Sequence, residues 1–86
     1  MTLVTVRYWA AAREAAGVAE ETLDADTLAG VIAAALGRRG GDPRLRAIFD
    51  RSSFLVDGAP AGRRAAAEVV LPEAATVEVL PPFAGG

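Results

Sequence analysis

Residues 3–8 alternate. Val4, Val6 and Tyr8 share one side and Leu3, Thr5 and Arg7 the other, which is the two-residue period of a strand with one buried face. A stretch of Ala, Arg, Glu and Gly17 follows and reads as a loop. Residues 20–23 form a weaker strand, so residues 3–23 are expected to make a hairpin with a long connection. Thr27 is a good helix N-cap. After it Leu28, Val31, Ile32, Ala35 and Leu36 recur at helical spacing, and this is the strongest periodic signal in the chain. Gly37, Gly40 and Gly41 end that helix. Asp42-Pro43 supplies an N-cap and first-turn pair for a short helix with Leu45, Ile48 and Phe49 inward. Residues 54–56 read as a third strand closed by the turn Asp57-Gly58. Residues 59–67 read as irregular, 68–71 as a short strand or turn, and 72–75 as a turn. Residues 76–80 form the last strand, with Val77 and Val79 inward. Pro81-Pro82 stops it, because proline has no amide donor and a fixed φ.

A hairpin, a helix across one face and further strands make an α+β domain. The expected fold is a mixed sheet of about five strands carrying one main helix and one short helix. Its boundaries are 1–80 for the folded unit and 81–86 for a flexible tail. One face does not follow the simple core pattern. Trp9 has the outward parity of Thr5 and Arg7, and Leu80 that of Glu78. With the first and last strands adjacent, both residues lie on one outer face beside the start of the tail, an arrangement suited to docking.

Composition narrows the chemistry. In 86 residues there are nine arginines against eleven acids, a net charge of −2, and no Lys, Cys or His. The lack of cysteine removes thiolate nucleophiles and thiolate metal sites, and the lack of histidine removes the commonest base and metal ligand. No metal site is expected. The pairs Arg38-Arg39 and Arg63-Arg64 are too short for a polybasic patch and read as solvated helix-end and loop charges, so neither nucleic acid nor membrane is expected as a partner. No apolar run approaches a membrane span, and the N-terminus lacks a signal-peptide pattern, so a cytoplasmic location is expected.

The chain closes on Pro81-Pro82-Phe83-Ala84-Gly85-Gly86. Two glycines without Cβ atoms pass through a narrow slot and approach another molecule closely. Six extended residues reach about 20 Å. The expectation is a tail threaded into a partner's active site, presenting a terminal carboxylate.

Two segments carry a family resemblance. Tyr8-Trp9-Ala10-Ala11-Ala12-Arg13-Glu14-Ala15-Ala16-Gly17 is similar to an aromatic–aromatic–Ala…Arg-Glu-x-x-Gly motif. Leu80-Pro81-Pro82-Phe83-Ala84-Gly85-Gly86 is similar to a hydrophobic-Pro-Pro-x-x-Gly-Gly tail. Together with the element order they resemble the ubiquitin-like β-grasp sulfur carriers of the MoaD/ThiS family, most of all the MoaD-type small subunits of molybdopterin synthase. Two departures stand out: Asp57 where the family often has Asn, and a 60–70 segment that is longer and richer in Arg and Ala.

The resemblance implies a mechanism. The Gly86 carboxylate is joined to AMP by a ubiquitin-activating-like adenylyltransferase using ATP, and a sulfur donor then displaces AMP to leave a thiocarboxylate. Gly85 keeps the approach unhindered, Pro81 and Pro82 stiffen the tail base, Phe83 anchors in the partner's channel with Ala84 beside it, and Trp9 and Leu80 dock. The chain is not an enzyme alone and binds no cofactor permanently. Its implied partner is the large subunit, in a heterotetramer of two small and two large subunits, where the tail delivers sulfur to the cyclic pterin precursor of molybdenum cofactor. Alternatives are a carrier for cysteine or thiazole synthesis, a ubiquitin-like protein modifier, and a plain interaction domain with an inert tail. Arg13 and Glu14 are expected to fix the local loop by ion pairing or backbone hydrogen bonds.

Overall fold

The computed structural model describes residues 2–82; Met1, Phe83, Ala84, Gly85 and Gly86 lie outside them. Strand β1 (Leu3–Tyr8) leads through helix α1 (Ala10–Ala16) into β2 (Glu20–Asp24). Helices α2 (Leu28–Gly37) and α3 (Pro43–Arg51) follow. Then come β3 (Ser53–Val56), β4 (Ala59–Pro60), one 3₁₀ turn at Ala66–Glu68, and β5 (Thr76–Leu80). The sheet order is β2-β1-β5-β3-β4. β1 and β5 run parallel at its centre, with Tyr8 opposite Val79, and the other pairings are antiparallel. This is a mixed five-stranded α+β sheet of the β-grasp type.

The alternation expected in the first and last strands sets the core. Val4, Val6 and Tyr8 of β1, Leu23 of β2 and Val77 and Val79 of β5 are buried on the face covered by helices. Leu28, Val31, Ala35 and Leu36 of α2 and Leu45, Ile48 and Phe49 of α3 complete it. Phe49 sits between two other rings, its centroid 6.5 Å from that of Tyr8 and 6.3 Å from that of Phe54. The Thr27 side chain accepts from the Gly30 amide at 3.0 Å. The Asp42 carboxylate accepts from the Arg44 amide at 2.9 Å. Both expected caps therefore satisfy amides that have no intrahelical partner.

Three expectations need correction. The 10–17 stretch is a helix, not a loop. Alanine is the strongest helix former, and Gly17 at φ 83 supplies the left-handed terminus, its amide bonded to the Arg13 carbonyl at 2.9 Å. Ala12 is fully buried, so α1 packs through a methyl group rather than an apolar stripe. The described residues thus hold three α-helices, and α3 is nearly as long as α2. The expected irregularity at 59–67 begins with a strand. Asp57 and Gly58, at φ 49 and 84, form a two-residue turn with Val56 opposite Ala59, and positive φ at both positions is the hairpin geometry that matches strand twist. Residues 68–71 lie outside the sheet, where Val70 makes only an isolated bridge to Thr27.

Candidate functional site

β5 is the central strand and ends at Leu80, opposite Ser53 of β3. Pro81 is buried against the domain and Pro82 is exposed. The chain therefore reaches the surface from the most constrained strand of the fold. Gly86, Gly85, Ala84 and Phe83, the expected reacting and threading residues, lie outside the described residues.

The parity argument for Trp9 and Leu80 is met in geometry. The Trp9 amide donates to the Val79 carbonyl at 3.3 Å, which carries the parallel β1–β5 ladder one residue past β1. Its indole lies on the outer face and is 43% exposed. The indole Nε1 donates to Glu78 Oε1 at 3.2 Å. The Arg7 guanidinium carbon sits 5.1 Å from the ring centroid, within cation–π range. Leu80 is half-buried on the same face, and Leu55, opposite Glu78 in register, adds to it. An aromatic ring held by a carboxylate and a guanidinium is pre-oriented, so little side-chain entropy remains to be lost on docking. Sequence reasoning found Trp9 and Leu80 but not the holding roles of Glu78 and Arg7. Those were legible as the residues two positions back on each strand.

The junction after Trp9 is strained. Ala10 adopts φ 50, a left-handed backbone that costs an L-residue on the order of 1–2 kcal/mol. Arg13 and Glu14 lie on the α1 helix, and Glu14 reaches Arg44 of α3 at 4.0 Å.

A charged cluster braces the other side of α1. Glu21 has the inward parity of Leu23, and its side chain is only 9% exposed. It accepts from the Tyr8 hydroxyl. Arg39 Nη1 approaches Glu21 Oε2 at 2.9 Å, and Arg38 Nη1 approaches Oε1 at 3.1 Å. Arg39 also donates to the carbonyls of Ala16 and Ala35 at 2.9 and 2.8 Å. One guanidinium thus ties the end of α1 to α2 and β2. Burial pushes the Glu21 carboxyl up, but hydrogen bonds from Arg39 and Tyr8 outweigh it and hold the group below its ordinary value. Burial, then the hydrogen bond to Glu21, pushes the Tyr8 phenol up. The hydrogen bond to Glu21 raises Arg39. The expectation that Arg38-Arg39 is merely solvated therefore fails at Arg39, whose side chain is 15% exposed.

Among the described residues no cluster of three His, Cys, Asp or Glu side chains is placed to hold a metal ion. No helix among them is long and apolar enough to cross a membrane.

Comparison with known proteins agrees with this architecture. The small archaeal modifier protein 1 of Methanosarcina acetivorans superposes with a TM-score of 0.81 at 25% identity, over 100% of this chain and 98% of that one. A Pyrococcus furiosus protein described as molybdopterin converting factor subunit 1 gives 0.75 at 21% identity, over 96% and 100%. The complex of subunits 1 and 2 of molybdopterin-converting factor from Helicobacter pylori gives 0.69 at 16% identity, over 99% and 100%. No curated protein matches the sequence. The ThiS family matches residues 6–86, which takes in both motifs, the whole sheet beyond Thr5 and the Gly85-Gly86 ending. The chain belongs to the ThiS family.

Proposed function

We propose that this protein is the sulfur-carrier subunit of molybdopterin synthase, working through its C-terminal Gly86. The observation that carries the reading is the position of the tail root. A family match that extends to Gly86 is joined to a domain whose central strand delivers the chain to the surface beside a held, half-exposed tryptophan. The rigid sheet fixes where the tail starts, and the two glycines set how close its end approaches a reacting centre.

The terminal carboxylate ionises near pH 3.5 and is a poor electrophile at neutral pH. The carboxylate oxygen attacks the α-phosphorus of ATP in an adenylyltransferase, pyrophosphate leaves, and an acyl-adenylate forms. A donor of hydrosulfide-level sulfur then attacks the Gly86 carbonyl carbon, the acyl–phosphate bond breaks and AMP leaves, giving the thiocarboxylate. Docked on the large subunit, in an assembly of two small and two large subunits, the thiocarboxylate sulfur bonds to the cyclic pterin precursor, and water then cleaves the acyl–sulfur bond to leave sulfur on the pterin and restore the Gly86 carboxylate. Beyond its terminal carboxylate the chain needs no side-chain nucleophile or base for any of these steps, in keeping with its lack of Cys and His. Pro81 and Pro82 reduce the entropy lost on threading, Phe83 and Ala84 fill the partner's channel, and Trp9 and Leu80 form the docking face. The cytoplasm is the proposed location. The two-subunit converting factor of Helicobacter pylori supports a large-subunit partner.

A second reading is a ubiquitin-like modifier, favoured by the likeness to a small archaeal modifier protein. It shares the adenylation step and diverges when a lysine amine rather than sulfur takes the acyl group. Carriers for cysteine or thiazole synthesis keep the sulfur chemistry and change the recipient. Removing Gly86 separates the tail mechanism from a plain interaction domain. The truncated chain is expected to keep its fold and lose all sulfur transfer, and retained transfer would refute the tail mechanism.

A further inference from the structure

A groove of about 370 Å³ opens beside the tail root, lined by Ser52, Ser53, Phe54, Leu55, Pro60 and Gly62. Ser53 is directly opposite Leu80, so the groove adjoins the point where the chain leaves β5. Its outer wall is the segment after β4, held by the Ala61 amide donating to the Phe54 carbonyl at 2.9 Å. The exposed Arg63 and Arg64 follow at once, and Arg64 Nε donates to the Ala61 carbonyl at 3.0 Å, which fixes that side chain beside the wall. Exposed Arg51 precedes Ser52 on the other lip, with Asp50 next to it in the chain, so the positive surplus rests on Arg63 and Arg64.

Among the described residues, Arg7, Arg38, Arg39 and Arg44 pair with carboxylates, whereas Arg13, Arg46, Arg51, Arg63 and Arg64 do not, and the last three flank the groove in sequence. The opposite end of the sheet is acidic. Asp24 lies opposite Leu3, Asp57 accepts from the Thr76 amide, and Glu73 accepts from the Leu3 amide. At the tail-root end Glu78 accepts from the Trp9 indole and Glu20 faces Arg7, so the positive charge beside the groove rests on Arg51, Arg63 and Arg64.

We propose that Arg63 and Arg64, with Arg51, form a docking surface for an acidic face of the enzyme that adenylates the tail. This rests on the function proposed above, and the adenylating enzyme is chosen because the carrier and modifier readings both require it. An ATP site is itself built for an anion. Six residues, when fully extended, reach about 20 Å from the end of β5, beyond a Debye length of roughly 8 Å. The root therefore meets carboxylates at the mouth of the site without opposing the charges deeper in it. Exposed arginines desolvate cheaply and act mainly by steering encounter and fixing orientation. They also present a planar fork that matches a carboxylate.

The test uses the full chain and the adenylating enzyme of the same organism, with association followed by stopped-flow fluorescence at low and high salt. Arg63→Glu with Arg64→Glu is expected to slow association by about tenfold or more at low salt and to flatten its salt dependence. Arg63→Gln with Arg64→Gln should fall between, and thermal stability should not change. An unchanged association rate would overturn the proposal, as would slowing that salt leaves untouched. Competition by single-stranded RNA at equal strength would overturn it too, since the patch would then be reading a polyanion rather than a protein face. Wild-type chain and chain lacking Gly86 are run alongside. Loss of adenylation without Gly86 but no effect of charge reversal sinks the docking surface alone, whereas adenylation that survives without Gly86 sinks the tail reading.

Discussion

Replacing Glu21 by Gln tests the bracing of α1 against α2 and β2. Glutamine keeps the shape and one acceptor oxygen, but it loses the charge and turns a donor toward Arg39 or Tyr8. Hydrogen bonds to charged groups contribute about 1.5–3 kcal/mol each. Arg38, with a side chain 54% exposed, is largely screened, while Arg39 at 15% is not. Arg39 also keeps its bonds to the Ala16 and Ala35 carbonyls. The net loss is therefore about 2 kcal/mol, against a total stability of roughly 5–15 kcal/mol for a domain. At 4–8 °C per kcal/mol this lowers Tm by roughly 8–16 °C.

The pH dependence carries its own sign. The folded-state pKa of Glu21 is depressed, so its contribution is full above the ordinary value near 4.3 and is lost as pH falls through the lower folded value. The folded-state pKa of Tyr8 is raised, so its contribution is full below its ordinary value near 10 and is lost as pH rises through the higher folded one. Neutral pH lies on the plateau of both. Denaturant unfolding followed by circular dichroism should show a wild-type advantage at pH 7 that narrows below about pH 4. An advantage that stays constant into acid, or that is absent at pH 7, would refute the argument and mean that desolvation cancels the attraction.

Ala12→Leu should destabilise by about 1–3 kcal/mol, because α1 packs by a fully buried methyl with no room for three more carbons; thermal unfolding reads this directly, and a neutral result would mean that α1 is loosely seated. Trp9→Asp and Leu80→Asp should each weaken large-subunit binding by tenfold or more, as a loss of about 1.4 kcal/mol or more from a docking anchor, with an unchanged fold by circular dichroism; unfolding instead would make these residues core.

Much of the fold was legible because its signals were strong and local. The stripe from Leu28 to Leu36, the caps at Thr27 and Asp42 and the alternation of β1 and β5 each rest on a periodicity or a hydrogen bond within a few residues. Helix α1 was missed because its packing residue is alanine, which gives no apolar period. β4 was missed because Ala59-Pro60 is only two residues long and contains a proline, although the Asp57-Gly58 turn before it is a hairpin signature. Arg39 was misread for a longer-range reason. Its partners Glu21, Ala16 and Tyr8 lie 18 to 31 positions earlier in the sequence, and only the packing of α2 across the sheet brings them together. Conversely, strand parity alone placed Trp9 and Leu80 on one face, because the central strands pair in the register their alternation requires.

The most direct test of the sulfur-carrier account is intact-mass analysis of the full chain after incubation with its adenylating enzyme, ATP and a sulfur donor. The account predicts a mass gain equal to exchanging one oxygen for sulfur, located at Gly86 and absent without ATP. A terminus that is adenylated yet never gains sulfur, while Gly86-dependent conjugates to lysines of other proteins accumulate, would contradict it.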